Sequence, residues 1–192
     1  MKAKHRQAEK PLRIIGGQWR GRKLNFPATG GLRPTGDRIR ETLFNWLAPR
    51  LPGARCLDLF AGSGALGLEA LSRGADDVVL LERQGQACEQ LRNNLALLRA
   101  EGAHLHHVDA LQWLSQTTPD SGFDVVFIDP PFEHDLWQAS IDALNLGGWL
   151  APGAAIYLES GRDTHYQVPG TWVLHRDKSA GQVRYRLYRF ED

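Results

Sequence analysis

Short apolar runs alternate along this chain with segments in which apolar residues recur every three or four positions. Five runs have the length of strands and are bounded by turn residues: 55–60, 78–82, 104–108, 123–129 and 154–159. Four segments between them have the apolar spacing of helices: 66–73, 84–100, 110–116 and 135–146. This alternation predicts an α/β fold with a doubly wound, mostly parallel sheet and right-handed crossovers.

Both ends of the chain depart from this alternation. Residues 183–190 largely alternate between apolar and polar types, so we expect a half-exposed strand that pairs with residues 171–176 as an antiparallel edge. Residues 13–24 predict two short strands around a glycine turn, a small β-hairpin that precedes the sheet. Trp19 lies among cations in this hairpin, where it either contacts a nucleic acid or anchors the hairpin to the core.

A helix is predicted within 33–47, and Thr35 or Asp37 is suited to cap its N-terminus. Its apolar face should pack on the sheet and close a pocket; that face carries Ile39, Leu43, Trp46 and Leu47. Three cations here fit a solvated helix face at least as well as a ligand contact: Arg33, Arg38 and Arg40. The predicted organisation is a basic extension over 1–32 and a main domain over 33–192 that begins with this helix.

The length and composition limit the possible classes of protein. A chain of 192 residues with 42% hydrophobic content can bury one substantial core. It has no apolar run near eighteen residues and no apolar stretch after its basic start, so we expect no membrane span, no signal peptide and a cytoplasmic location. Cys56 and Cys88 have no Cys-x-x-Cys spacing and should be buried thiols. His104, His106 and His107 lack a third type of ligand, so no metal site is expected.

The charge is distributed unevenly. Residues 1–50 carry 12 Lys and Arg against 3 Asp and Glu, a net charge of +9, whereas the remainder carries −8. A segment this basic neutralises phosphates and attracts nucleic acid, while the acidic remainder would not bind nucleic acid unaided. A solvated charged tail is the alternative.

The sequence Asp129-Pro130-Pro131-Phe132 makes a rigid loop at the end of an apolar strand. Each proline fixes its backbone and lacks a donor N–H, so local pairing does not consume the carbonyl of Pro130. This carbonyl and the Asp129 carboxylate are suited to accept the two hydrogens of an exocyclic amine and direct its nitrogen at an electrophile. Phe132 offers a stacking face for a base turned out of its stack.

An ordinary strand-ending turn with Phe132 in the core is the alternative interpretation of this loop. We favour a ligand site, because ligands of open α/β sheets bind beyond the carboxyl ends of the strands. Methyl transfer to a nucleobase amine is the chemistry that such a loop fits.

A glycine turn lies at the end of the first long strand, about seventy residues before this loop. Gly62, Gly64 and Gly67 fit the G-x-G-x-x-G pattern, and Glu82 lies about twenty residues further on, where it could bind ribose hydroxyls. A nicotinamide-dependent oxidoreductase is therefore one candidate function.

The acidic residues favour S-adenosylmethionine over a dinucleotide. Asp58 precedes the turn, where a carboxylate opposes a pyrophosphate but suits a ligand with an ammonium and a sulfonium. Asp109 ends the third strand and is suited to meet an adenine amine. Hydride transfer, moreover, does not require the loop at Asp129. The residues assigned to the cofactor are Asp58, Phe60, Gly62, Gly64, Glu82, Asp109 and Ala110.

With these residues in place, the chain resembles the bacterial 16S rRNA guanine-N2 methyltransferases of the small-subunit methyltransferase D type, specific for guanine 966. The resemblance spans nearly the full length. Four motifs carry it: Arg13-Ile-Ile-Gly-Gly-x-Trp-Arg-Gly-Arg-Lys-Leu24, Arg33-Pro-Thr-x-Asp-Arg-Ile-Arg-Glu-x-Leu-Phe-Asn-Trp-Leu47, Asp58-Leu-Phe-Ala-Gly-Ser-Gly-Ala-Leu-Gly67 and Asp129-Pro-Pro-Phe132. The first two motifs are much more specific than the last two, which occur across many methyltransferases.

The resemblance implies a Rossmann-like class I methyltransferase fold with a seven-stranded sheet. It implies methyl transfer from S-adenosylmethionine to N2 of one guanine in 16S rRNA, within an assembled small subunit, by a monomer. The glycine turn, Glu82 and Asp109 would hold the cofactor, and the loop 129–132 would hold the base. The residues assigned to RNA are Arg13, Trp19, Arg20, Arg22 and Lys23. Without the resemblance, the acceptor stays open among guanine N2, adenine N6 and a glutamine side-chain amide.

Overall fold

The computed structural model describes residues 11–26 and 36–191. Within these ranges the strands are β1 (Leu12–Arg13), β2 (Lys23–Leu24), β3 (Arg55–Asp58), β4 (Asp77–Glu82), β5 (Ala103–His107), β6 (Phe123–Ile128), β7 (Leu150–Gly161), β8 (Trp172–Ala180) and β9 (Val183–Phe190). The helices are α1 (Asp37–Leu47), α2 (Gly67–Ser72), α3 (Gly85–Leu98), α4 (Ala110–Gln116) and α5 (Trp137–Leu146), with 3₁₀ turns at Ala48–Arg50 and Phe132–His134.

The main sheet has the order β5-β4-β3-β6-β7-β9-β8 within the described residues. β5, β4, β3, β6 and β7 run parallel, and β9 runs antiparallel to both β7 and β8. The chain moves outward from β3 to β5 and then returns to the other side of β3 as β6. The doubly wound sheet with an antiparallel edge is therefore confirmed, and its switch point lies between β3 and β6.

The sheet separates two apolar layers, because successive strand residues point to opposite faces. On one face Val78, Leu80 and Phe127 pack with α1, α2 and α3. On the other face Val79 and Leu81 pack with α4 and α5. As predicted, α1 packs on the sheet, where the Phe44 ring lies 6.0 Å from the Phe127 ring between centroids. Cys56 and Cys88 are both buried thiols, also as predicted.

The start of α1 differs from the prediction. Asp37 does not cap the helix: it is the first helical residue, and the cap position belongs to Gly36, which makes no side-chain cap hydrogen bond. The Asp37 carboxylate instead accepts a hydrogen bond from Arg40 at 2.6 Å. Thr35, the other predicted cap, and Arg33 lie outside the described residues.

Arg40 is also not on a solvated helix face, although Arg38 is exposed there. Arg40 is 1% exposed and donates to the carbonyl of Arg13 at 2.9 Å, while its Nη1 lies 3.6 Å from Oε2 of Glu69. The buried Glu69 carboxylate on α2 and the exposed Asp37 carboxylate together compensate the charge of Arg40, which explains why an arginine is tolerated in the interior. Sequence spacing did not show that Glu69 would be there.

The N-terminal hairpin is docked on α2. Glu69 accepts hydrogen bonds from the backbone N–H groups of Ile15 at 2.9 Å and Gly16 at 2.8 Å. At the turn, Gly17 has φ +74° and lies so close to the carbonyl of Ser72 that a Cβ there would clash. The hairpin thus shares the core on the α2 face. The predicted boundary between 32 and 33 falls outside the described residues.

Among the described residues, no helix combines the length and apolar character needed to span a membrane.

Candidate functional site

The two predicted loops meet at the switch point of the sheet. Asp58 at the end of β3 is the register partner of Phe127 near the end of β6. The N–H of Leu59 donates to the carbonyl of Phe127 at 3.2 Å, so the two strands remain joined where their loops begin. The glycine turn after β3 and the loop that starts at Asp129 therefore lie side by side. This is the crevice in which open α/β sheets bind ligands.

The turn after β3 depends on its glycines. Gly62 and Gly64 have φ values of +53° and +80°, in the left-handed region that favours glycine. A Cβ at Gly64 would lie 2.5 Å from Cδ2 of Leu91 on α3. The N–H of Gly64 donates to the carbonyl of Ala61 at 2.6 Å and closes the turn. The backbone is held tightly at the mouth of the crevice.

Glu82 at the end of β4 is 7% exposed and is bonded to this turn. Its Oε2 accepts from the N–H of Gly62 at 2.8 Å, and its Oε1 accepts from the N–H of Gln84 at 2.6 Å. These bonds fix the carboxylate at the crevice. Each carboxylate oxygen has a second lone pair, so Glu82 retains the capacity to accept from ligand hydroxyls.

Asp58 is 2% exposed, and its Oδ2 accepts from the N–H of Gly67 at 3.0 Å. Burial raises the pKa of Asp58 to about 7, and the charge of Glu82 adds to the rise, while hydrogen bonds from Gly67 and Phe60 lower the pKa. A third anion beside these two carboxylates would raise the electrostatic cost of ionising them further. A cationic ligand would reduce it, so the site fits an ammonium and a sulfonium better than a pyrophosphate.

Asp109 and Ala110 follow β5 at the same edge of the sheet. Asp109 caps α4, because its Oδ1 accepts from the N–H groups of Leu111 at 3.0 Å and Gln112 at 3.1 Å. The N–H of Val108 donates to the carbonyl of Glu82 at 3.0 Å, which places this cap beside the end of β4. Ala110 is buried, and Phe60 is half-buried against the α4 and α5 layer. All the residues assigned to the cofactor thus lie along one edge, after β3, β4 and β5.

The loop after β6 presents an aromatic ring to solvent. Asp129 is half-buried and Pro130 is buried, whereas Phe132 is 47% exposed. The Phe132 ring centroid lies 5.6 Å from that of Trp137, a buried residue at the start of α5. The alternative in which Phe132 is a core aromatic is therefore wrong, and the ring is supported from behind while one side stays accessible.

Two residues of β7 belong to this site and were missing from the sequence prediction. Ile128 and Leu158 are register partners, which places Glu159 beside Asp129 on the neighbouring strand. The hydroxyl of Tyr157 donates to Oε2 of Glu159 at 2.6 Å, and both residues are buried. Burial raises the pKa of Tyr157, and the negative charges of Glu159 and Asp129 raise it further. One feature of the sequence indicates Glu159: it is the last residue of its predicted strand, as Glu82 is of another.

The turn of the hairpin, with Arg20 and Arg22, does not lie at this edge, whereas the carbonyl of Arg13 bonds to Arg40 near the start of α1. Arg13, Arg20, Arg22 and Lys23 are exposed, and Trp19 is partly buried against the core. The N–H of Trp19 donates to Oγ of Ser72 at 3.0 Å, at the C-terminal end of α2.

That end of α2 lies at the amino edge of the sheet. Gly53, which precedes β3, donates its N–H to the carbonyl of Gly74, just after α2, at 2.8 Å. The hairpin turn and the loop at Asp129 therefore lie toward opposite edges of the sheet. Within residues 11–26 and 36–191, no group of His, Cys, Asp and Glu side chains is arranged to hold a metal ion.

Comparison with known proteins identifies relatives over the whole chain. The family model described as Conserved hypothetical protein 95 matches residues 12–189. The chain is 52% identical over 193 residues to Ribosomal RNA small subunit methyltransferase D of Escherichia coli, covering 100% of this chain and 96% of that protein. A solved structure of the yhhF protein of Escherichia coli has a TM-score of 0.87 and 50% identity, covering 94% of this chain and 98% of that chain.

The fold extends to more distant proteins. The Thermus thermophilus 16S rRNA N2 G1207 methyltransferase, solved in complex with AdoMet and guanosine, has a TM-score of 0.72 at 24% identity. The match covers 95% of this chain and 50% of that chain. The architecture is thus that of the class I S-adenosylmethionine-dependent methyltransferases.

Proposed function

Since the chain belongs to the Conserved hypothetical protein 95 family, with Ribosomal RNA small subunit methyltransferase D among its relatives, we propose that it methylates a guanine of 16S rRNA on N2. It is an S-adenosylmethionine-dependent methyltransferase that acts on rRNA. By resemblance the target is guanine 966, within an assembled small subunit. One observation carries the proposal: the pairing of Asp58 with Phe127 places an acid-lined glycine turn next to the loop at Asp129.

The residues present fit S-adenosylmethionine because the carboxylates at the turn are buried and close together. Asp58 would face the ammonium group, Glu82 would accept from the ribose hydroxyls, and Asp109 with Ala110 would border the adenine. Phe60, Gly62 and Gly64 would form the adjoining wall. The bound cofactor supplies an electrophilic methyl group on a sulfonium.

The loop after β6 would position the base. The carboxylate of Asp129 and the carbonyl of Pro130 accept the two hydrogens of the exocyclic amine, which orients the nitrogen and favours the positive charge that develops on it. Pro131 keeps the loop rigid, and the exposed ring of Phe132 stacks on the extruded base. The reaction class thus needs positioning and electrostatics, with no covalent enzyme intermediate.

The basic segment favours a nucleic acid over a protein substrate. We propose that the extension over 1–32 binds rRNA through Arg13, Trp19, Arg20, Arg22 and Lys23, away from the target nucleotide, while 33–192 carries the reaction. Reversing the charges at Arg20, Arg22 and Lys23 should weaken rRNA binding and flatten its dependence on salt, with cofactor binding unchanged. An unchanged salt slope would refute RNA binding by the hairpin.

We further propose that the protein acts as a cytoplasmic monomer.

The decisive experiment maps the methylated product. Small-subunit rRNA from cells that lack the gene is incubated with the protein and isotopically labelled S-adenosylmethionine, both as free RNA and as assembled subunits. Mass spectrometry of nuclease fragments should find N2-methylguanine at one position, only with the assembled subunit. Label on adenine or on a glutamine of a ribosomal protein would contradict the proposed acceptor. Calorimetric titration with NAD in place of S-adenosylmethionine should show no binding.

A further inference from the structure

A polar groove of about 340 Å³ lies between α1 and the turn that joins β8 to β9. Arg38 and Thr42 line it from α1, Lys178 and Ser179 line it from β8, and Tyr185 forms part of its floor from β9. None of these residues belongs to the cofactor site, to the loop at Asp129 or to the N-terminal hairpin.

The strand register places this groove near the base loop. Tyr185 is the partner of Glu159 on one side and of Lys178 on the other. Glu159 in turn lies beside Asp129, one position beyond the pair formed by Ile128 and Leu158. Lys178 is therefore level with Asp129 across the sheet, three strand spacings or about 14 Å away.

The groove also opens at the edge of the sheet that carries the reaction. The C-terminal end of α1 leads through the turn at Gly53 into the start of β3, so the N-terminal end of α1 lies toward the carboxyl ends of the parallel strands. Arg38 is in the first turn of that helix. The turn of the hairpin, which carries Arg20, is by contrast docked at the amino edge, beside Ser72.

The cations of the groove are available to a ligand. Arg184 and Arg186 form ion pairs with Asp177, whereas Arg38 and Lys178 are exposed and form no ion pair with any residue in the described ranges. The ammonium of Lys178 lies 5.7 Å from the centroid of the Trp46 ring.

The Trp46 ring stacks on Tyr185 at 5.6 Å between centroids. This contact holds the Lys178 ammonium against the last turn of α1, about 12 Å along the helix from Arg38. The result is a concave surface with two separated positive charges and a serine hydroxyl, the chemistry that binds phosphate groups.

We propose that this groove binds the phosphate backbone of the rRNA strand next to the target nucleotide, with Arg38 and Lys178 as its phosphate contacts. The inference rests on the proposed function. An enzyme that extracts a base must hold the backbone beside it, because phosphate contacts fix the register while the pocket reads the base. The hairpin turn at the amino edge cannot supply this local contact, but a groove level with Asp129 can.

The test compares single charge-removing variants, Arg38→Gln and Lys178→Gln, with Arg189→Gln as the matched control. Arg189 is an exposed cation at the opposite end of β9, so its removal changes the net charge equally at the amino edge. Binding of assembled small subunits that lack the methyl group is measured over a range of salt concentrations. Each groove variant should lower the slope of log affinity against log salt by about 0.7 to 0.9, which is about fivefold in affinity near 0.1 M salt. Lys178→Arg should keep the wild-type slope.

Cofactor affinity and unfolding temperature should match wild type in all four variants, which separates loss of contact from loss of fold. Groove variants with the slope of the Arg189→Gln control would overturn the proposal. Groove variants that lose affinity with no change in the salt slope would also overturn it, because such a loss does not come from phosphate contacts. If wild-type protein transfers no methyl group to assembled small subunits, the proposed function itself fails, a result distinct from equal slopes in an active enzyme.

Discussion

The carboxylate of Glu82 accepts a hydrogen bond from the backbone N–H of Gly62 at 2.8 Å. This bond ties the end of β4 to the turn after β3, so a residue assigned to the cofactor also holds the cofactor loop in shape. We predict that Glu82→Ala lowers S-adenosylmethionine affinity by more than tenfold, because it removes both the ribose acceptor and the anchor of the turn. Glu82→Gln keeps one acceptor and should lose less. Calorimetric titration measures both, and equal affinity for wild type and Glu82→Ala would contradict the assignment.

The pKa of Asp58, raised by burial to about 7, predicts a pH-dependent cofactor affinity. A cationic ligand binds best when Asp58 is ionised, so affinity should rise as the pH increases from about 5.5 to 7.5 and then level off. Asp58→Asn should bind more weakly and without this pH dependence. Titrations of both proteins over that range provide the measurement. A pH profile shared by wild type and variant would show that another group is responsible.

The same pKa predicts how the stability of the ligand-free protein depends on pH. The folded-state pKa of Asp58 lies above its ordinary value of 3.8, so the folded protein binds an extra proton between pH 4 and 7. Protonated Asp58 thus adds about 4 kcal/mol to the unfolding free energy below pH 4. This contribution is lost as the pH rises through 7. Between pH 5 and 7, wild type should lose roughly 2 kcal/mol of unfolding free energy relative to Asp58→Asn. Denaturant titrations at both pH values should reveal the difference, and parallel curves would exclude it.

Glu69 is a junction between the hairpin, α1 and α2. Its buried carboxylate accepts from the backbone of Ile15 and Gly16 and from Arg73 at 2.7 Å, and it lies near the buried Arg40. Glu69→Ala should lower the unfolding free energy by about 3 to 5 kcal/mol, because it removes the buried carboxylate near Arg40 and leaves the N–H groups of Ile15 and Gly16 without their acceptor. The hairpin amides should exchange hydrogen faster than in wild type. Asp177→Ala, which removes a surface ion pair, is the control and should cost less than about 1 kcal/mol.

Glu69 also illustrates what the sequence could and could not predict. Apolar runs and apolar spacing predicted the strands and helices of the sheet, because central parallel strands are buried on both faces, whereas edge strands and helices are buried on one. The turn at Gly62 and the loop at Asp129 were identifiable because each follows a predicted strand and carries residue types that ligand-binding loops at strand ends use. The buried pair of Arg40 and Glu69 joins segments that are far apart in sequence, and no local pattern indicates such a contact. Glu159 was missed because its neighbour across the sheet depends on strand order and register.

Phe132 provides a test of base stacking that is separate from folding. Because the ring is 47% exposed, Phe132→Ala should change the unfolding temperature little. The variant should lose about 1 to 3 kcal/mol of transition-state stabilisation, the usual value of stacking one base on an aromatic ring. Phe132→Tyr keeps the stacking face and should retain most activity. Single-turnover rates with rRNA decide the matter, and an active Phe132→Ala enzyme would rule out the stacking role.

Substitution of Asp129 distinguishes positioning of the acceptor amine from binding of the cofactor. Asp129 follows β6, whereas the cofactor residues follow β3, β4 and β5. Asp129→Ala should therefore lower kcat by about a hundredfold to a thousandfold, the usual cost of losing one charge-stabilising partner, while S-adenosylmethionine affinity stays within about threefold of wild type. Asp129→Asn keeps one acceptor for the amine hydrogens, so its kcat should lie between those of wild type and Asp129→Ala. If the alanine variant loses cofactor binding to the same extent as turnover, Asp129 belongs to the cofactor site, and the side-by-side loops would have to be assigned differently.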